Sequence, residues 1–379
     1  MKIILLLLPY LALSTIHPEG NMDFVKYCKY FNYPVEEHVI QTEDGYLLTY
    51  FRVQAKGTKM VSGKKVVLLQ HGLLDSSDTF IINDEDKAPA FLIANKGYDV
   101  WLGNNRGNKH GRAHVKKNPF FWSFWDFTLE DFAIYDLPAG FKYIVNKTGQ
   151  KIQYIGHSQG TAQMHIHLSL FKQSVVRDNL IQFIGMGPVA WVTTKYSPLV
   201  RLLDTNFLEV LATFGLHEFM PGDSFLTSEV GRVVCGIMEN LCGDLIGSFV
   251  SADPVLDNYD RYDVLAGHSP AGTSVKNLKH WQQFTRTGEF KRYDYGDKEN
   301  LKRYGTKKAP QYDLSNIDVK IFYIAGYDDL LAAPKDVNHL FSALVNAPNK
   351  ELKFYDAGHC SFMWGRKLPY LEDLWAHLE

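Results

Sequence analysis

Ile152-Gln153-Tyr154-Ile155-Gly156-His157-Ser158-Gln159-Gly160-Thr161-Ala162-Gln163-Met164-His165-Ile166 is the stretch whose reading decides the fold. Its first four residues read as a buried strand and its last six as a helix, and G-x-S-x-G stands between them. The pattern alone is common by chance. Between a strand and a helix, however, it describes a sharp turn that presents Ser158 as an exposed nucleophile. Glycines are needed at 156 and 160 because side chains two residues either side of the Ser would collide in so tight a turn. The N-terminus of the following helix then favours developing negative charge.

A Ser hydroxyl is a poor nucleophile without a base, and the base needs an acid to orient it. In this strand–turn–helix context the chain order is Ser, then Asp or Glu, then His. Downstream, the run Ile321 to Ile324 leads into Ala325-Gly326-Tyr327-Asp328-Asp329, so either Asp328 or Asp329 can serve as the acid. The run Leu352 to Tyr355 leads into Asp356-Ala357-Gly358-His359, which places His359 on a loop after a strand. Two backbone N–H groups are needed for the oxyanion. One comes from Gln159, next to the nucleophile. The other comes from Leu73, in the loop Gln70-His71-Gly72-Leu73-Leu74 that follows the early run Val66 to Leu69.

Working outward, short runs rich in Val, Ile and aromatics recur at Lys65–Leu69, Tyr98–Leu102, Lys151–Ile155, Ile181–Met186, Val319–Ile324 and Glu351–Tyr355. Separated by amphipathic segments, they predict an α/β protein with a mostly parallel central sheet flanked by helices. The core is expected over 22–190 and 310–379. Between 191 and 309 the rhythm changes: Leu202, Leu203, Phe207, Val210, Leu211 and Phe214 recur at helical spacing, broken by Gly215 and Pro221. This predicts a mainly helical cap lying over the strand ends, where α/β proteins bind ligands.

Lys2 followed by the apolar run Ile3 to Leu13 and the small residues near Ser14 predicts a signal peptide over 1–14 and a secreted or lysosomal protein. No later stretch is long and apolar enough for a transmembrane anchor. Cys235 and Cys242 are placed to close a small disulfide loop, with Cys28 and Cys360 as free thiols. Asn146-Lys147-Thr148 is a glycosylation sequon. The formal net charge of −2 gives no global basic field for nucleic acid. His165 and His167 point apart on a helix and have no cluster of ligands beside them, so no metal is expected. The chemistry read here uses no cofactor.

With these residues in place, the chain resembles the acid lipase family, which includes gastric and lysosomal members. The likeness is carried by Tyr33-Pro34-Val35-Glu36-Glu37-His38, Gln70-His71-Gly72-Leu73-Leu74, Tyr98 to Asn108, Tyr135-Asp136-Leu137-Pro138-Ala139, Gly156 to Thr161, and Pro270 to Val275 followed by His280-Trp281. It spans about residue 22 to the C-terminus. The resemblance implies the α/β-hydrolase fold, a Ser158–Asp329–His359 triad, oxyanion donors at Leu73 and Gln159, and a lipid ester substrate met at a lipid–water interface. It favours Asp329 over Asp328 because the family's acid precedes Leu-Leu-Ala, here Leu330-Leu331-Ala332. The chain departs from the family after His359, with Cys360-Ser361-Phe362 in place of the usual Leu-Asp-Phe. A small-ester esterase, an acyltransferase and a catalytically silent lipid-binding protein are the competing expectations.

Overall fold

In the computed structural model, Val66-Val67-Leu68-Leu69-Gln70 forms a strand buried at every position (β3). Its alternate residues divide between two cores: Val66 and Leu68 face one, Val67 and Leu69 the other. The same division sends Ile321 and Tyr323 to the first core, and Phe322 and Ile324 to the second. A strand that is apolar on both faces must be covered on both faces, which is the signature of a parallel sheet between helical layers. The structure describes residues 17–222, 232, 233, 235, 238, 244, 247–251 and 254–378. The expected signal peptide over 1–14 and Cys242 lie outside them.

The other strands are β1 (Val35–Gln41), β2 (Tyr46–Val53), β4 (Asp99–Gly103), β5 (Ala113–His114), β6 (Ile152–His157), β7 (Leu180–Met186), β8 (Glu218–Phe219), β9 (Thr273–Ser274), β10 (Ile321–Gly326) and β11 (Glu351–Tyr355). The main sheet runs β1-β2-β4-β3-β6-β7-β10-β11, with β5 paired to β2. Within this sheet antiparallel pairing is confined to β1, β2, β4 and β5, and along the path from β4 to β11 every pairing is parallel, while β8 and β9 form a separate antiparallel pair. The sheet is therefore mostly parallel, as expected. The β1–β2 hairpin is an addition to that expectation. Its first strand alternates half-buried and exposed positions, so it is a solvent-facing edge rather than a core strand.

Between β7 and β10 the described residues are mainly helical, with helices at Pro198–Leu203, Phe207–Thr213, Tyr262–His268, Val275–Thr287 and Asp297–Tyr304. Helix Val275–Thr287 begins at Ser274, whose hydroxyl caps the Asn277 N–H, and ends at Gly288 in the left-handed conformation. It packs on the helices Pro198–Leu203 and Phe207–Thr213. The cap is tied to the core by charged and polar contacts. Lys276 Nζ lies 2.6 Å from Asp126, Arg112 Nε lies 2.8 Å from Glu218, and the Ser274 hydroxyl donates to the Phe127 carbonyl.

Register brings the loops together. Leu69 pairs with Ile155 and Gln70 with Gly156, so the segment after β3 and the turn after β6 leave the sheet side by side. Gly326 pairs with Tyr355, so the loops after β10 and β11 do the same. All four loops leave the carboxyl ends of parallel strands, the edge where open α/β sheets bind ligands.

Candidate active site

Ser158 sits at the sharp turn between β6 and helix Gln159–Leu170, with φ 51° and ψ −117°. A residue other than Gly is rarely held there, because Cβ crowds its own backbone. The turn is forced by what surrounds it. The Ser158 N–H donates to the Met186 carbonyl at the end of β7. A Cβ on Gly160 would stand 2.4 Å from the Gln70 carbonyl oxygen, and one on Gly156 would stand 2.8 Å from the backbone of Gly160. Both glycines are thus required by close backbone approach. Gln159 follows at the first helical position, its N–H among those at the helix N-terminus that have no intrahelical acceptor.

Asp329 and His359 meet across the adjoining loops. His359 Nδ1 donates to Asp329 Oδ2 at 2.8 Å, while Oδ1 of the same carboxylate accepts from the Leu331 and Ala332 N–H groups at 2.8 and 2.7 Å. Asp329 is only 2% exposed, so its charge is balanced by these three donors rather than by water. Asp328 is turned differently, with its N–H on the Ala357 carbonyl and its side chain half-buried.

Ser158 and His359 line one cavity of about 490 Å³ together with Leu73, Leu74, His157 and Asp75. The remainder of its wall is largely aliphatic and aromatic, with Val189, Val200, Leu203, Met220, Leu265 and Trp281 among its residues. The cap supplies many of these, and it docks on the residue beside Ser158. Gln159 Oε1 accepts from both Asn277 Nδ2 and Trp281 Nε1 at 2.9 Å. The cap also touches the loops carrying Asp329 and His359. The Val250 carbonyl accepts from the N–H groups of Leu330 and His359, at 3.2 and 3.4 Å, and Ser251 pairs with Asp329 as an isolated antiparallel bridge.

Two titratable groups in this cavity were not singled out from sequence. Burial pushes the His157 imidazole well below its ordinary range, and the neighbouring His359 reinforces the shift. His157 Nε2 donates to the His359 carbonyl at 2.9 Å, tying the turn at Ser158 to the loop that carries His359. Asp75 is held in the loop after β3, where its Oδ1 accepts from the Ser76 N–H at 2.8 Å. Burial pushes its carboxyl up to about 7, with the charge of Asp78 adding to the rise and Lys109 opposing it. An Asp directly after Gly72-Leu73-Leu74 is visible in sequence. Its burial is not.

The remaining candidates fall as follows. His165 and His167 lie on helix Gln159–Leu170 and are committed to internal partners, His165 to the Tyr323 hydroxyl and His167 to the Ala133 carbonyl and Ser174 hydroxyl. Burial lowers them to about 3 and about 4. Asn146 is exposed in the last turn of helix Leu137–Thr148, next to the left-handed Gly149. Cys235 is disulfide-bonded, while Cys28 and Cys360 are buried free thiols. The expected partner of Cys235, Cys242, lies outside the described residues.

A family model described as alpha/beta hydrolase fold matches residues 65–366, and one described as a partial alpha/beta-hydrolase lipase region matches residues 24–84. The chain is 37% identical to gastric triacylglycerol lipase of Rattus norvegicus over 360 residues, covering 93% of this chain and 90% of that one. It is 36% identical to lysosomal acid lipase/cholesteryl ester hydrolase of Homo sapiens over 370 residues, covering 94% and 90%. Among solved structures, a soluble variant of monoglyceride lipase from Saccharomyces cerevisiae shares the fold with a TM-score of 0.51 at 14% identity, over 89% of this chain and 93% of that one. A bacterial membrane phospholipase A shares it with a TM-score of 0.52 at 11% identity, over 98% and 92%. With 36–37% identity to these lipases over nearly the full length, this chain belongs to the acid lipase family of the α/β-hydrolases, a family of carboxylic ester hydrolases.

Proposed function

We propose that the protein hydrolyses carboxylic esters of neutral lipids, triacylglycerol or sterol ester, with Ser158, Asp329 and His359 as its catalytic triad. The observation that carries this reading is the cavity: a large apolar chamber whose polar floor holds Ser158 and His359. A long acyl chain is bound by burying its methylenes, each worth about 0.8 kcal/mol, and a wall of Val, Leu, Met and Trp side chains suits that burial. A chamber of this kind suits a soluble short ester less well, since most of it would stay unfilled.

In the first step His359 takes the Ser158 proton as the oxygen attacks the ester carbonyl. The Asp329 carboxylate holds the imidazole through Nδ1 and stabilises its charged form. The Leu73 and Gln159 N–H groups receive the oxyanion, each such donor typically worth about 3 kcal/mol of barrier. Collapse of the tetrahedral adduct breaks the ester C–O bond, and His359 returns the proton to the departing alcohol. Water, deprotonated by His359, then attacks the acyl-enzyme, releases the fatty acid and restores the Ser158 hydroxyl. The disulfide at Cys235 supports action in an oxidising lumen, outside the cell or within the secretory route.

The test is hydrolysis of emulsified long-chain triacylglycerol and cholesteryl ester by purified protein and its Ser158→Ala variant. Loss of turnover in the variant with unchanged thermal melting is expected. Turnover equal to wild type would remove Ser158 from the mechanism, and activity confined to short soluble esters would overturn the lipid reading.

A further inference from the structure

Phe120, Phe121 and Trp122 stand 89%, 63% and 61% exposed, three consecutive aromatic rings in water on a loop that is not part of the cavity lining. Scattered exposed hydrophobics are ordinary, but a contiguous run is not. Their backbone is held in place. Asn118 Oδ1 accepts from the Phe120 N–H and the Asn118 carbonyl from the Phe121 N–H, while Trp125 Nε1 donates to the Pro119 carbonyl at 2.7 Å. Beneath the loop, Phe124, Trp125 and Phe127 are buried in the core. The same short stretch therefore sinks one set of rings and raises another on a fixed turn.

Two lysines precede these rings in the chain. Lys116 is exposed and Lys117 lies over the Tyr46 ring, and neither meets a carboxylate in an ion pair among the described residues. No Asp or Glu occurs anywhere from Val100 to Trp125, and of the basic residues there Arg106 is paired with Asp44 and Asp136, Lys109 with Asp78 and Arg112 with Glu218, which leaves Lys116 and Lys117 as the charges beside the rings. The segment is also fastened to the cap through Arg112–Glu218 and Asp126–Lys276. Glu218 lies two residues before Met220, which lines the cavity and is itself exposed. Aromatic rings and lysines together are the composition that lodges at the boundary between water and lipid.

We propose that the loop Lys116–Trp122 is an interfacial anchor, which inserts Phe120, Phe121 and Trp122 into the surface of the ester lipid while Lys116 and Lys117 face the carboxylates of fatty acid gathered there. The occupant follows from charge complementarity. Ester hydrolysis releases a carboxylate into the surface being digested, so the surface grows more anionic as the reaction proceeds, and the lysines hold the enzyme where product has accumulated. This inference rests on the lipid reading of the active site, but its failure is separable because the loop carries none of the proposed chemistry.

The experiment uses full-length protein, sedimented with phosphatidylcholine vesicles made with and without oleic acid. In a Phe120→Ser/Phe121→Ser/Trp122→Ser variant, partition onto both vesicles is expected to fall at least about tenfold. A Lys116→Gln/Lys117→Gln variant is expected to lose only the additional binding that oleic acid confers. Both variants should keep the wild-type kcat/KM on a dissolved short-chain ester, which shows that fold and active site are intact. Wild-type vesicle binding by the triple-serine variant overturns the proposal. So does a parallel loss on the dissolved ester, which would make the rings structural. Concentration-dependent self-association that the serines abolish would assign the patch to a second copy of the chain instead.

Discussion

Replacing Asp75 with Asn tests how a buried carboxyl in the cavity that Ser158 lines couples to folding. Burial lifts this group from 3.8 to about 7. The folded chain therefore keeps a proton that the unfolded chain gives up, at every pH between those two values. Stability contributed by the protonated form is complete below about pH 4 and is lost as pH rises through about 7. A rise of roughly three pH units at about 1.4 kcal/mol each sets an upper limit of about 4 kcal/mol. Asparagine keeps the acceptor for the Ser76 N–H without a titrating proton. The measurement is urea unfolding of wild type and Asp75→Asn at several values between about pH 4 and about pH 8, other carboxylates being common to both chains. The variant should gain on wild type as pH rises, by as much as about 4 kcal/mol at the alkaline end. The same ionisation places a negative charge in the cavity beside Leu73, so kcat/KM on a dissolved ester should fall above about pH 7 in wild type and fall less in the variant. Parallel stability profiles across the range would refute the reasoning.

Gly160→Ala drives a methyl to within 2.4 Å of the Gln70 carbonyl oxygen, a backbone atom that cannot swing aside. A loss of about 3 kcal/mol is expected, read as a lowered melting temperature, and an unchanged melt would count against the close packing described. Arg106→Ala strips the buried Asp136 of the guanidinium 2.7 Å away and should cost about 3–5 kcal/mol. Replacing Asp136 with Leu in the same chain should recover part of that loss, and no recovery would mean that packing rather than charge is responsible. Gln159→Ala preserves the N–H proposed for the oxyanion but leaves Trp281 Nε1 without its acceptor, a loss of about 1–3 kcal/mol. Amide exchange in Val275–Thr287 should quicken while hydrolysis of a dissolved ester changes little, and unaltered exchange would dismiss Gln159 as a clamp.

The inner parallel strands were legible because they are largely apolar on both faces, so a run such as Val66–Leu69 or Ile321–Ile324 admits few other readings. Their ends moved by a residue or two, since strand termini depend on pairing with neighbours distant in sequence. β1 was passed over for a related reason. Glu36, Glu37 and His38 make an edge strand look like a loop, and only its register with β2 stabilises it. Within the site, chain order was enough to select Ser158 and His359 as candidates, but could not separate Asp328 from Asp329. In the structure Asp329 is the carboxylate with both oxygens committed, one to His359 and one to backbone N–H groups. Asp75, Val250, Asn277 and Trp281 came together through closure of the cap over the sheet. No spacing rule links a loop near residue 75 to helices some two hundred residues later.

The Val250 carbonyl, which joins the loops bearing Asp329 and His359, has a bearing on how this enzyme varies and how it is engineered. The bond belongs to the main chain, so no exchange of side chain at 250 deletes it directly. Cap sequences can drift, and caps can be recombined between relatives, while the path of the backbone at this one point stays the quantity that must be inherited. A graft judged by matching side chains would miss that requirement. One judged by where the chain passes over the two loops would respect it.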